Sequence, residues 1–216
     1  MSNETPTTTI QSALDAALTV IKSHNPNVPS ALAVIIAPKK GAHGYFLPNA
    51  WQDNGGEHNG SARHEIAMNP QSFDKGAEQV LTTLIHETAH ALAHVTGVKD
   101  TSRQGRFHNN KFRTIADAMG LVTTDDDKIG TRTPGLQSWA KESYAGTLAN
   151  LESVLVTFRK PDADKPKAPK TTIRIQCGCE QPVTVPIKWW ETMEDVLQCS
   201  LCVDDDTDGG RFFPVE

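Results

Sequence analysis

Cysteine is missing from most of this 216-residue chain: none precedes Cys177, and all four lie between Cys177 and Cys202. A secreted fold held by disulfides would spread its bridges through the main domain, so that class is excluded for the bulk of the protein. Aromatic residues are also few, at 6%. No apolar run is long enough to span a bilayer. The first residues, Met1-Ser-Asn-Glu-Thr-Pro, offer neither the basic start nor the apolar stretch of a secretory signal, so a cytoplasmic address is expected. Positive charge is in deficit as well. Lys and Arg number 21 against 26 Asp and Glu, a net charge of -5. That balance argues against a protein that coats nucleic acid through general basicity, though a local basic patch is compatible with it.

What is present reads as one full domain followed by a small satellite. Ile10, Leu14, Leu18 and Ile21 recur at helical spacing from Thr9 to about Ser23, with Thr9 as N-cap. Strands are expected at Ala31 to Ala37, around His43 to Leu47, and at Glu65 to Met68, the last two separated by a polar loop at Asp53 to Gly60. A long helix should run from about Lys75 to Thr96 with Val80, Leu81, Leu84, Ile85, Leu92 and Val95 inward. Gly97 would end it. Phe112, Ile115, Ala116 and Met119 mark another helix beginning near Asn109. A last long helix is expected to carry Tyr144, Leu148, Leu151, Leu155 and Phe158 on one stripe. From Arg159 to Lys170 the chain turns to Lys, Pro, Ala and Asp, from which no core can be made, and this stretch is read as a linker. These boundaries give a domain at 1–158, a linker at 159–170 and a second domain at 171–216.

The chemistry concentrates on the long helix. His86 and His90 are four residues apart and share a helix face, where two imidazoles can meet one zinc ion. Glu87 lies beside the first and can reach a water on that ion without ligating it, the arrangement that an HExxH pattern encodes. A catalytic zinc needs a third protein ligand. Ala93 and Thr96 rule out a longer HExxHxxGxxH pattern, and the next glutamate downstream is distant Glu142. His94 is about 12 Å along the axis from His86, too far to share one ion. His108, at the start of the next helix, is the best candidate. His24, His43, His58 and His64 have no spacing argument and are expected to be structural or exposed. For an oxyanion donor the sequence offers Tyr45, Tyr144, Arg103 and Arg106 without choosing among them.

Cys177-Gly-Cys179 and Cys199-Ser-Leu-Cys202 bring four thiols from two turns, the donor set of a closed structural zinc site. A domain of about 45 residues has too little core to stand alone, so the metal would also hold it folded. Lys160, Lys165, Lys167, Lys170 and Arg174 are locally basic, and Trp189, Trp190, Phe212 and Phe213 could stack on bases. Asp204-Asp-Asp and Asp208 would repel phosphate, and packing a small core is the simpler role for the aromatics.

Thr83-Leu-Ile-His-Glu-Thr-Ala-His-Ala, preceded by a strand ending in Met68-Asn-Pro and followed by His108-Asn-Asn-Lys-Phe-Arg, Ala116 to Leu121 and a cysteine-rich tail, resembles SprT-like zinc metallopeptidases, the group that includes the DNA–protein crosslink protease Spartan. The likeness extends over about residues 31 to 121 and 171 to 216. Where members commonly carry glycine after the third histidine, this chain has Asn109. The resemblance implies an α+β fold: a small zincin-like domain of short antiparallel sheet plus helices, followed by a small β zinc ribbon. It also implies a zinc endopeptidase with His86, His90 and His108 as ligands and Glu87 as catalytic base. A second, structural zinc would sit on Cys177, Cys179, Cys199 and Cys202. The partners implied are a protein substrate and DNA, with no membrane. The alternative is a non-catalytic module in which zinc only stabilises a surface that binds DNA or protein; a transcriptional regulator rests on analogy alone.

Overall fold

The computed structural model describes residues 5–36, 42–52, 62–160, 169–202 and 210–215. Its contacts divide the chain into two compact units, Met1–Pro161 and Asp162–Glu216.

The first unit opens with α1 (Pro6–His24), whose N-cap is Thr5; the Thr5 hydroxyl accepts a hydrogen bond from the Thr8 N–H. The helix thus starts earlier than the apolar stripe suggests, because proline at the first position and a threonine cap prepare the turn. Three strands follow: β1 (Ala31–Ile35), β2 (Gly44–Gln52) and β3 (Ala62–Met68). They form one sheet in the order β1-β3-β2. β2 pairs antiparallel with β3, but β1 runs parallel to it, so the sheet is mixed rather than antiparallel throughout. A crossover from β1 to β2 before β3 inserts between them produces that parallel pair. The polar loop expected at 53–60 lies outside the described residues.

A 3-10 turn (Pro70–Lys75) leads into α2 (Ala77–Val95), whose buried face includes Val80, Leu81, Leu84 and Ile85. Lys75 therefore belongs to the turn, and Gly76 at φ +85° separates it from the helix. Beyond α2 come β4 (Thr101–Ser102), β5 (Phe107–His108), α3 (Asn110–Ala118), β6 (Leu121–Asp126) and β7 (Gly130–Leu136). The four short strands form a second sheet in the order β4-β5-β7-β6. The expected last long helix is instead two, α4 (Ser138–Ser143) and α5 (Ala145–Val154), parted at Tyr144. One apolar core joins Ile10, Leu14 and Ile21 of α1, Ile66 and Met68 of β3, the α2 face, Phe112, Leu121, Tyr144 and Leu151. Burial of this set is the main stabilising term of the unit.

The second unit holds β8 (Thr172–Gln176), β9 (Val183–Pro186), α6 (Ile187–Met193) and β10 (Phe213–Val215), with the antiparallel order β10-β8-β9. Its buried apolar residues, among those described, are Ile175, Cys177, Trp190 and Cys202. The chain is thus of mixed α+β class. Residues 161–168 of the expected linker and Asp204 to Asp208 lie outside the described residues. No helix among the described residues is long and apolar enough to cross a membrane.

Candidate metal centre

Helical spacing puts His86 and His90 on the same side of α2, with ring centroids 5.0 Å apart. β5 delivers His108 to them, at 4.9 Å from the His86 ring and 5.0 Å from the His90 ring. One nitrogen from each of the three lies within 4.8 Å of the others. Phe112, fully buried on α3, packs against all three imidazoles at 4.8, 4.6 and 4.5 Å, stacked on His90 and tilted to the other two. The sequence marks it only as a core residue of that helix.

His108 owes its place to backbone. Its N–H donates to the Ile129 carbonyl at 2.8 Å, and it pairs with Gly130 at the start of β7. Gly130 sits at φ +78°, and a Cβ there would lie 2.1 Å from the His108 carbonyl oxygen, so only glycine permits this approach. Asn109, at φ -90°, caps α3: its side-chain oxygen accepts from the Lys111 and Phe112 N–H groups, while its amide donates to the Lys99 carbonyl. No left-handed residue is required there, and the departure from glycine is accommodated by the cap.

Two outer partners, neither visible in the sequence, orient the first two rings. His86 Nδ1 lies 2.8 Å from Thr133 Oγ1, and His90 Nδ1 lies 2.6 Å from Asp100 Oδ2. With each Nδ1 engaged, Nε2 is the nitrogen left for a metal. His90 Nε2 and His108 Nε2 face each other at 3.2 Å. Two nitrogens on one tetrahedral zinc would be about 3.3 Å apart, given Zn–N bonds of about 2.0–2.1 Å. The donor set fits zinc.

Electrostatics agree with cation binding. Burial holds His86 well below the ordinary histidine value, with His90 and His108 adding to the effect. His108 is lowered to about 4, by burial first and then by His90, against an opposing pull from Asp100 and the nearby Thr131 and Ile129 carbonyls. Both rings are therefore neutral at pH 7, the form that ligates. Glu87 is raised to about 7 by complete burial, offset in part by His90 and by the Phe46 N–H that it accepts. Glu87 and the three histidines line a cleft of ≈ 590 Å³, walled by Gly44, Tyr45, Phe46 and Pro48 of β2 on one side and by Asp100, Thr101 and Gly105 on the other.

Of the four oxyanion candidates, Tyr45 alone lines this cleft. Arg103 is stacked on Phe107 at 4.4 Å, and Tyr144 is buried in the core against His24. His94 lies at the cleft edge against Phe46 and His64, outside the three-histidine group. His43 meets Lys75, and His64 accepts from the Asn49 N–H. His58 lies outside the described residues.

In the second unit, Cys177, Cys179, Cys199 and Cys202 converge, all four thiols within 4.8 Å of one another and none in a disulfide. Cys179 to Cys199 measures 3.7 Å and Cys177 to Cys202 3.8 Å. A tetrahedron of Zn–S bonds near 2.3 Å has edges of about 3.8 Å, which those two separations match. Cys177 and Cys179 sit closer, at 2.8 Å, and would have to part around an ion. The donor chemistry of four thiols fits zinc. Burial and the three neighbouring thiols push Cys202 up to about 12, a crowding that a cation relieves. Gly178 has no left-handed backbone, and a Cβ there would meet only the Cys202 sulfur, at 3.9 Å. The position that demands glycine is Gly210, at φ +67° and within 2.8 Å of the Cys199 carbonyl.

A mixed α+β frame presenting three histidines and a buried glutamate from one long helix and an adjoining strand defines a domain able to hold a metal ion. Residues 39–133 match the model of the SprT-like family, so the chain carries a SprT-like domain. That family is associated with zinc metallopeptidase-like activity. The matched stretch takes in His86, Glu87, His90, Asp100, His108 and Thr133. No curated protein and no solved structure matches the chain.

Proposed function

We propose that the protein is a zinc-dependent endopeptidase that cleaves protein substrates, among them proteins attached to DNA. The observation that carries this reading is the convergence of His86, His90 and His108 beside the buried carboxyl of Glu87 in one open cleft. His86, His90 and His108 would hold the zinc. The ion, when bound, supplies Lewis-acid polarisation and a water of lowered pKa. Glu87 takes the proton of the attacking water and hands it to the departing amine. The Phe46 N–H fixes the carboxyl towards the cleft.

A wholly structural metal site has no use for a carboxyl buried at this cost beside its ligands, which favours the enzyme over the binding module. The cysteine set would hold a second, structural zinc, and four unpaired thiols support a reducing, cytoplasmic setting. The DNA-linked substrate rests on the family likeness.

The test is Glu87→Gln in the full chain. Zinc content should match wild type while cleavage of a protein substrate falls by about 10²–10⁴-fold, the usual contribution of a general base. Full proteolysis by the zinc-loaded variant would defeat the assignment. Cleavage of a DNA-binding protein with and without single-stranded DNA tests the substrate class; equal rates on DNA-bound and DNA-free proteins would remove the DNA component.

A further inference from the structure

The three imidazoles differ in what stands behind them. His90 Nδ1 meets the Asp100 carboxyl at 2.6 Å, and both side chains are only 14% exposed. His86 Nδ1 meets a neutral hydroxyl, Thr133, at 2.8 Å. His108 Nδ1 is buried and reaches no partner at hydrogen-bond distance; the Thr131 and Ile129 carbonyls stand near the ring. A carboxyl behind an imidazole fixes its tautomer and raises its ligand basicity; a hydroxyl does this more weakly, and carbonyls beyond hydrogen-bond distance least of all.

Asp100 is itself held in place. Its carbonyl accepts from the Asn109 N–H at 3.0 Å, and the Asn109 amide donates to the Lys99 carbonyl at 2.9 Å. Asn109 follows His108 directly, so the Thr101–His108 hairpin is bracketed by the carboxyl behind one ligand and by another ligand. Inside that hairpin Arg103, Gln104 and Gly105 all have positive φ, at 50°, 59° and 82°. Two consecutive non-glycine residues in this region mark stored strain. The ligand without an outer partner is thus the one attached to the strained segment.

We propose that Asp100 and Thr133 are positioning residues that grade the metal site, making His90 the firmest ligand, His86 intermediate and His108 the one that yields. This rests on the zinc reading of the site but not on proteolysis. Metal would be held chiefly by the two α2 histidines, with His108 contributing least to affinity.

The measurement is metal affinity in the full chain. With cobalt as the probe, thiolate charge-transfer absorption follows the cysteine site separately, and the weaker visible bands report the histidine site during chelator competition. Asp100→Asn should lower histidine-site affinity by about 10–100-fold, the usual loss on removing an outer partner, and Thr133→Val by less. His108→Ala should retain more affinity than His90→Ala. Asp100→Glu, which keeps the carboxyl, should recover part of the loss, a rescue that a purely structural role for the side chain would not give. Asp100→Asn binding as tightly as wild type, or His108→Ala losing as much affinity as His90→Ala, would overturn the grading. Either result leaves the peptidase reading to be decided by the Glu87→Gln assay, since affinity and cleavage are read independently.

Discussion

Glu87 meets two opposed demands, because burial that suits a proton carrier also penalises its charge. The folded protein holds its proton to about 7, whereas an ordinary carboxyl titrates near 4.5. In the metal-free protein the folded state therefore binds more protons than the unfolded chain across that interval. Stability from this group is intact below about 4.5 and is lost as pH climbs through about 7. The interval corresponds to about 3 kcal/mol at full ionisation. His86 and His108, held low by burial, act in the opposite sense, costing stability as pH falls below their ordinary value of 6.5. Glu87→Gln leaves those rings in place, so the difference between variant and wild type isolates the carboxyl. Urea unfolding in chelator should find Glu87→Gln about 3 kcal/mol the more stable at pH 8 and nearly equal at pH 4.5; equal stability at both pH values would contradict the burial argument. As candidates, His86, Glu87 and His90 were legible at this scale because helical spacing is written in the sequence, while His108, on another element, had only its place downstream to recommend it. Asp100 and Thr133 were not, since 10 and 47 residues separate them from the rings they touch and only tertiary structure joins them.

Strands β5 and β7 touch at a single residue pair, His108 with Gly130, and the third ligand hangs on it. A side chain at Gly130 would press on the His108 carbonyl and on the Phe107 ring. Gly130→Ala should cost about 1–3 kcal/mol in overpacking, with about 1–2 kcal/mol more for the left-handed backbone. It should also weaken metal at the histidine site while sparing the cysteine site. Retention of wild-type histidine-site affinity and thermal midpoint would show that the pairing does not place His108. This hairpin region was also where the sequence was least readable. β6 runs Leu-Val-Thr-Thr-Asp-Asp and β7 carries glycine and proline, so neither offers the apolar alternation by which strands are recognised. Their turn is set by Asp126, whose carboxyl accepts from the Lys128 and Ile129 N–H groups. Asp125 and Asp126 thus close β6, and Asp126 also opens an Asx-type turn. The last helix erred the other way. Tyr144 is buried in the core at the break between α4 and α5, Leu148 and Leu151 lie on α5, and Phe158 falls beyond it, half exposed.

Across the whole molecule the two units are stabilised by different means. The first has a continuous apolar cluster running from Ile10 on α1 to Leu151 on α5, independent of any metal. The second, among its described residues, buries Ile175 and Trp190 together with two of its own candidate ligands, Cys177 and Cys202. Three short strands and a helix of seven residues cannot offset the chain entropy of this segment by such burial alone. Ligation would therefore be its principal source of folding free energy, since the four crowded thiols need a cation before they can all ionise. Chelation should then separate the units. A strong chelator at neutral pH should unfold the 162–216 segment and expose it to limited proteolysis, while the 1–161 segment keeps its helical signal and a cooperative thermal transition. Cys199→Ser should do the same without chelator and leave histidine-site metal in place. Persistence of the amide dispersion of the second unit in metal-free protein would refute this division, because it would require a core that Ile175 and Trp190 are too small a set to provide.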